Sequence, residues 1–141
     1  MFAAVLRFSD RLRNSARRKQ WPADLALGRW GEDLAHRFLR AQGFIIVARN
    51  YRLSSGAAEA DIIARENDDL VFVEVKTRTS DEFGGPERAV GPAKQEHLER
   101  AARQYARRAD IEWSCVRFDV VTIVATDPPK IQHFRAAWSS D

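Results

Sequence analysis

A mixed α/β fold in the order αβββαββ, with a five-stranded sheet and helices on both of its faces, is what this sequence predicts. Two stretches repeat apolar residues at helical spacing, and five others are rich in apolar and β-branched residues over strand length. The first three strand stretches follow one another through turns, whereas the second helical stretch separates the third from the fourth. Antiparallel pairing followed by a helical crossover gives a mixed sheet.

Residues 1–22 precede the first of these elements. Arg7, Arg11, Arg13, Arg17, Arg18 and Lys19 face only Asp10 within residues 1–20, a local charge of +5 against +3 for the whole chain, so the remainder carries −2. Phe2, Val5, Leu6 and Leu12 give only weak amphipathicity; the apolar stretch is too short for a secretory signal, and no basic side chain precedes its start. We expect a poorly ordered basic extension over 1–22, with a nucleic-acid-binding arm as the other reading, followed by a single domain over 23–141.

The first helix starts around Trp21, Pro22, Ala23 and Asp24 and stops at Gly43. Leu27, Trp30, Leu34, Phe38 and Leu39 form its apolar face, with Gly28, Gly31 and Ala35 allowing close approach to a sheet. Glu32 falls at the edge of that face. It either looks towards the sheet or makes an exposed i, i+4 contact with His36.

Residues 44–51 read as the first strand and 53–56 as the turn after it. Residues 59–65 and 70–77 read as a hairpin closed by Glu66, Asn67, Asp68 and Asp69. A polar, glycine-rich loop occupies 79–86. The second helix is expected over 92–109, with Leu98, Ala101, Ala102 and Tyr105 inward, Lys94 continuing that stripe, and Arg100, Arg103 and Arg107 outward. Lys94 therefore either meets a phosphate at the sheet or snorkels past the core edge. The arginine stripe either follows a nucleic-acid backbone or is merely solvated. Residues 116–124 and 131–134 complete the sheet. Cys115, at the start of the fourth strand, reads as an inert buried thiol, and a single cysteine excludes an internal disulfide framework.

No apolar run is long enough for a membrane helix, and the apolar and charged fractions, 45% and 30%, are those of a globular domain. A cytoplasmic location is the expectation.

The chemistry lies in the hairpin. If Arg65 pairs with Leu70, Asp61 falls opposite Glu74 and Glu59 opposite Lys76, and strand alternation turns all four to one face. Ala60, Ile62, Ala64, Val71, Val73 and Val75 then form an apolar surface on the other, which fixes the register. Ile63 and Phe72 share the charged face, so it is expected to be partly covered, where charges need a reason to be buried. Facing carboxylates repel unless a proton or cation lies between them, and hard oxygen ligands suit Mg²⁺ or Mn²⁺. Lys76 is placed to stabilise an attacking hydroxide or a phosphate. The plain alternative is a solvated edge hairpin with weak cross-strand ion pairs.

With these residues in view, the chain resembles the YraN-type family of small bacterial proteins, which is assigned to the PD-(D/E)XK nuclease superfamily and is similar to archaeal Holliday-junction resolvases. The resemblance covers residues 27–138. It rests on Gly28, Arg29, Trp30, Gly31, Glu32 and Ala35; on Gly43 and Asn50, Tyr51, Arg52; on Glu59 to Ile63; and on Phe72 to Arg78. Gly85, Pro86, Lys94 and the run from Arg117 to Val121 complete it. It implies a restriction-endonuclease-like core, with Asp61 and Glu74 as metal ligands, the carbonyl of Val75 as a third, and Lys76 as the catalytic lysine. It further implies Glu32 as an additional metal ligand and Glu59, Arg78 and Lys94 as secondary site residues. Asp119 belongs to the pattern, yet on a central strand it is equally suited to satisfying buried polar groups. Ala58 and Ala60 stand where the family commonly has glycine and a larger aliphatic, which bears on packing.

The expected function is therefore Mg²⁺- or Mn²⁺-dependent cleavage of DNA, with a non-catalytic nucleic-acid-binding or scaffold protein of the same fold as the alternative. A homodimer would let two sites address two strands, and the sequence specifies no interface for one.

Overall fold

The computed structural model describes residues 23–52, 59–79 and 90–139. The expected extension over 1–22, the turn at 53–56 and nearly all of the loop at 79–86, with Gly85 and Pro86, lie outside the described residues.

Helix α1 (Ala23–Ala41) is followed by strands β1 (Ile45–Arg52), β2 (Glu59–Glu66) and β3 (Asp69–Arg78), helix α2 (Pro92–Arg108), a 3₁₀ turn (Trp113–Cys115), and strands β4 (Val116–Val124) and β5 (Lys130–Trp138). The sheet runs β1-β2-β3-β4-β5, antiparallel except for the parallel β3/β4 pair, which α2 bridges. The predicted mixed sheet with two helices is thus the observed one. Among the described residues no helix is long and apolar enough to cross a membrane.

Local sequence explains the boundaries. Gly43 adopts φ +98°, a left-handed stop in which the Phe44 N–H reaches back 3.1 Å to the Leu39 carbonyl and closes the end of α1. Pro92 opens α2, where its missing N–H costs nothing. The hairpin is tighter than its four polar residues suggest. Glu66 pairs with Asp69, and Asn67, at φ 54°, turns the chain with Asp68. Arg65 nevertheless pairs with Leu70, the register read from the sequence.

Two apolar clusters cover the two faces of the sheet. Trp30, Leu34, Ala35 and Leu39 of α1 pack on Ile62, Ala64, Val71, Val73, Val121 and Ile123. Leu98 and Ala102 of α2 pack on Ala60, Ile63, Leu70, Phe72, Phe118 and Val120. Each fully buried Ile, Leu or Phe contributes about 1.5–3 kcal/mol, so these side chains fix which helix lies on which face. Cys115 is half-buried in the 3₁₀ turn.

One expected assignment is corrected. Ala60 packs under α2, not with Ile62 and Ala64 under α1. Opposite this stretch, Asn50 of β1 has φ 51°, and the pairs Arg49↔Ile62 and Tyr51↔Ala60 flank it. The left-handed residue interrupts strict alternation. Arg49 consequently reaches α1, whereas Tyr51 meets Tyr105 of α2, their rings 5.3 Å apart.

Candidate active site

Asp61 and Glu74 meet where the β2/β3 ladder stops. Paired register runs from Glu66↔Asp69 to Ile62↔Val73, and beyond it the Asp61 carboxylate takes over as acceptor, receiving the Val75 N–H at 2.9 Å. Asp61 also hydrogen-bonds to Glu74. Glu74 is only 3% exposed, buried in the parallel centre of the sheet opposite Val120. Lys76 Nζ lies 3.7 Å from its Oε1, and Lys94 Nζ, from the first turn of α2, lies 3.8 Å from its Oε2. Lys94 thus lies on the sheet side, as both sequence readings of it require.

Burial, and then the neighbouring Asp61 charge, push the Glu74 carboxyl up to about 8 despite Lys94 and Lys76. Burial raises Asp61 as well, against the Val75 N–H and Lys94. Both shifts favour a protonated over a doubly ionised pair, and a bound cation would favour the reverse. Glu74 Oε2 is buried and makes no hydrogen bond among the described residues. Among the described residues no three Asp, Glu, His or Cys side chains converge into a cation cage. The donors present still fit a hard divalent ion that keeps most of its water: two carboxylates with an orphaned buried oxygen, beside the main chain at Val75.

Glu32 stands further out on α1. Its carboxylate is 3.7 Å from Arg49 and 3.2 Å from the Asn50 amide, oriented with nitrogen towards the carboxylates as the hydrogen-bond network requires. Burial, then Asp61, raises its pKa. Glu32 therefore faces the sheet. Burial, then Arg49 and Arg40, lower the pKa of His36, one turn on.

The expectation that Glu59 faces Lys76 is also corrected. Because the β2/β3 ladder has ended, Glu59 aligns instead with Arg52 of β1, whose guanidinium is 3.4 Å away, while Lys76 turns to Glu74. Arg78 is exposed at the end of β3, two residues past Lys76. Two of the outer arginines of α2 are engaged locally. Arg100 pairs with Glu96 at 2.9 Å, and Arg103 lies 4.1 Å over the Trp113 ring.

Sequence reasoning did not assign Arg49 or Asn50 to this site. An asparagine in the middle of a strand stretch was the available signal, since Asn tolerates a left-handed backbone better than most residues.

Asp119 belongs to a separate network. Fully buried, it accepts from Arg117 Nε and Nη2 at 2.9 and 3.0 Å, from the Ala136 N–H at 3.0 Å, and pairs with His133 Nε2 at 2.8 Å. Arg117 continues to Glu66 and Asp69 at 3.0 and 3.1 Å. Satisfaction of buried polar groups, one of the two readings of Asp119, accounts for all of these contacts.

The sequence model of the Uncharacterised protein family UPF0102 matches residues 31–123, the span holding every one of these groups except His133 and Ala136. A UPF0102 protein of Solibacter usitatus is 48% identical over 138 residues, covering 98% of this chain and 100% of its own. Another, from Syntrophotalea carbinolica, is 44% identical over 118 residues, 83% of this chain and 94% of its own. A third, from Rhodococcus opacus, is 47% identical over 117 residues, 82% and 98% respectively. With a match over most of its domain and relatives aligned nearly end to end, the chain belongs to the UPF0102 family.

Proposed function

We propose that this protein is a Mg²⁺- or Mn²⁺-dependent phosphodiesterase acting on DNA, an endonuclease of PD-(D/E)XK type with branched DNA as its favoured substrate class. One observation carries the reading: the buried Glu74 carboxylate and the half-buried Asp61 carboxylate share a site at the end of the hairpin ladder, with two lysine ammonium groups within 3.8 Å of Glu74. Adjoining carboxylates repel unless a proton or cation lies between them, and a divalent cation would relieve this pair.

In this reading Asp61, Glu74 and the carbonyl of Val75 hold the metal, with Glu32 contributing from the edge. Bound there, the cation supplies Lewis acidity and a low-pKa water for in-line attack at phosphorus. Lys76 orients the attacking water and stabilises charge gathering on the phosphate. Lys94 meets a phosphate oxygen, and Glu59 and Arg78 line the approach. The apolar neighbours Ala60, Ile63 and Phe72 exclude water from one side of the pair and strengthen each of these interactions. A homodimer would present two sites to two strands, and a DNA substrate agrees with a cytoplasmic location.

The test is cleavage of labelled single-stranded, duplex, flapped and four-way-junction DNA with Mg²⁺, Mn²⁺ or EDTA, alongside Asp61→Ala and Lys76→Ala prepared identically. Metal-dependent cleavage lost in both variants is expected, and undiminished variant rates would overturn the mechanism. A second reading, non-catalytic nucleic-acid binding, draws on the lack of a three-ligand cage among the described residues. It predicts salt-sensitive binding, with or without metal, and no cleavage.

A further inference from the structure

Asn50 occupies an unusual place. It is the left-handed residue of β1, flanked by the pairs Arg49↔Ile62 and Tyr51↔Ala60, and therefore lies across from Asp61. With its nitrogen towards the carboxylates, its amide donates to Glu59 Oε1 at 3.3 Å and to Glu32 Oε1 at 3.2 Å. One side chain thus joins the outer acid of β2 to the acid of α1. Arg49 braces the same helix from the preceding position, 2.9 Å from Asp33 and 3.7 Å from Glu32.

Glu32 needs such a tether. It sits on a helix, whereas Asp61 lies on a strand. Arg49 and Arg52 each pair with one of the two acids, and the Asn50 amide is the group that bonds to both Glu32 and Glu59. The backbone supports the same conclusion, because most side chains are strained at φ near +50°, whereas asparagine both tolerates it and supplies two N–H donors.

We propose that Asn50 is a positioning residue that ties Glu32 to Glu59 at the rim of the Asp61–Glu74 pair and thereby sets how tightly the site takes a divalent cation. The proposal rests on the metal-site reading above and deepens it: Asn50 touches neither cation nor substrate and acts through Glu32. Partners that orient ligands from behind typically change metal affinity about 10–100-fold when removed.

The experiment is Mn²⁺ binding to full-length protein, followed by the electron paramagnetic resonance signal of free Mn²⁺, with melting in EDTA in parallel. Asn50→Gly is the variant, since glycine accepts the left-handed backbone and removes only the amide. It is compared with Glu32→Gln and with the double variant. The expected result is an approximately 10-fold weaker Kd for Asn50→Gly, melting close to wild type in EDTA, and less than a further two-fold loss (~0.4 kcal/mol) when Asn50→Gly is added to Glu32→Gln. Wild-type affinity in Asn50→Gly, or losses that multiply in the double variant, would overturn the proposal while leaving the metal site standing. Absence of Mn²⁺ binding by the wild type would overturn both.

Discussion

Gly31 of α1 approaches Thr77 of β3 so closely that a Cβ at position 31 would lie 1.9 Å from Thr77 Oγ1, 3.0 Å from its Cβ and 3.2 Å from its Cγ2. This contact sets α1 down on the sheet one residue before Glu32. Gly31→Ala gains about 1 kcal/mol of helix propensity. Overpacking costs typically about 1–3 kcal/mol, and threonine's stiff χ1 leaves no free rotamer to relieve it. A net loss of stability is therefore expected in urea unfolding. Thr77→Ala in the same chain should return most of it, and a Gly31→Ala protein as stable as wild type would contradict the packing.

The raised carboxyl of Glu74 gives the metal-free protein a pH dependence of definite sign. Its ordinary value is 4.5 and its folded value about 8, so between these the folded state holds the extra proton. Stability is then fully present below about pH 4.5 and is lost as pH rises towards 8. Asp61 and Glu32, both raised, add in the same direction. Melting temperatures in EDTA should fall across this window. Glu74→Gln, which cannot ionise, should flatten most of the slope, and a curve that rises from pH 5 to 8 would contradict the assignment.

Alternation and turn chemistry carried much of the fold. The run from Ile62 to Ala64 and from Leu70 to Val73 has one register that buries its apolar residues, and that register brings Asp61 and Glu74 together. What escaped the sequence depends on backbone irregularities and distant partners. The left-handed turn at Asn50 sends Ala60 under α2, and ending the ladder at Ile62↔Val73 parts Glu59 from Lys76. Strand β5 is longer than residues 131–134 because it continues past a bulge opposite Asp119 to pair Trp138 with Phe118. No local pattern announces a contact such as Glu66 with Arg135, 69 positions apart.

That bulge makes Asp119 a structural acid. Burial pushes its carboxyl up, but His133, Arg117 and the Ala136 N–H outweigh burial and hold it below the usual range. Hydrogen bonding to Asp119 likewise leads the upward shift of Arg117. Asp119→Ala strands Arg117 and His133 with fewer acceptors and leaves the Ala136 N–H without its partner, a loss typically of about 3–5 kcal/mol. Urea unfolding should show it at pH 7. The difference from wild type should shrink only in acid, as pH falls through the depressed folded value, because a lowered carboxyl contributes its stability above the unfolded pKa. An Asp119→Ala protein with wild-type stability at pH 7 would show that the network is incidental.

Lys94 separates a site residue from a lysine that only covers the core edge. Its charge lowers Glu74 and Asp61, and it lies beside the other Glu74 oxygen from Lys76. Lys94→Ala should therefore move the pH-dependent loss of stability upward, since Glu74 would keep its proton longer. The same variant should bind DNA more weakly, with the slope of log K against log salt smaller in magnitude by about 1, as expected when one phosphate contact disappears. The paired measurements distinguish the roles. A shifted pH curve with an unchanged salt slope would confine Lys94 to tuning Glu74, whereas wild-type behaviour in both would make it a solvated lysine that happens to lie 3.8 Å from the carboxylate.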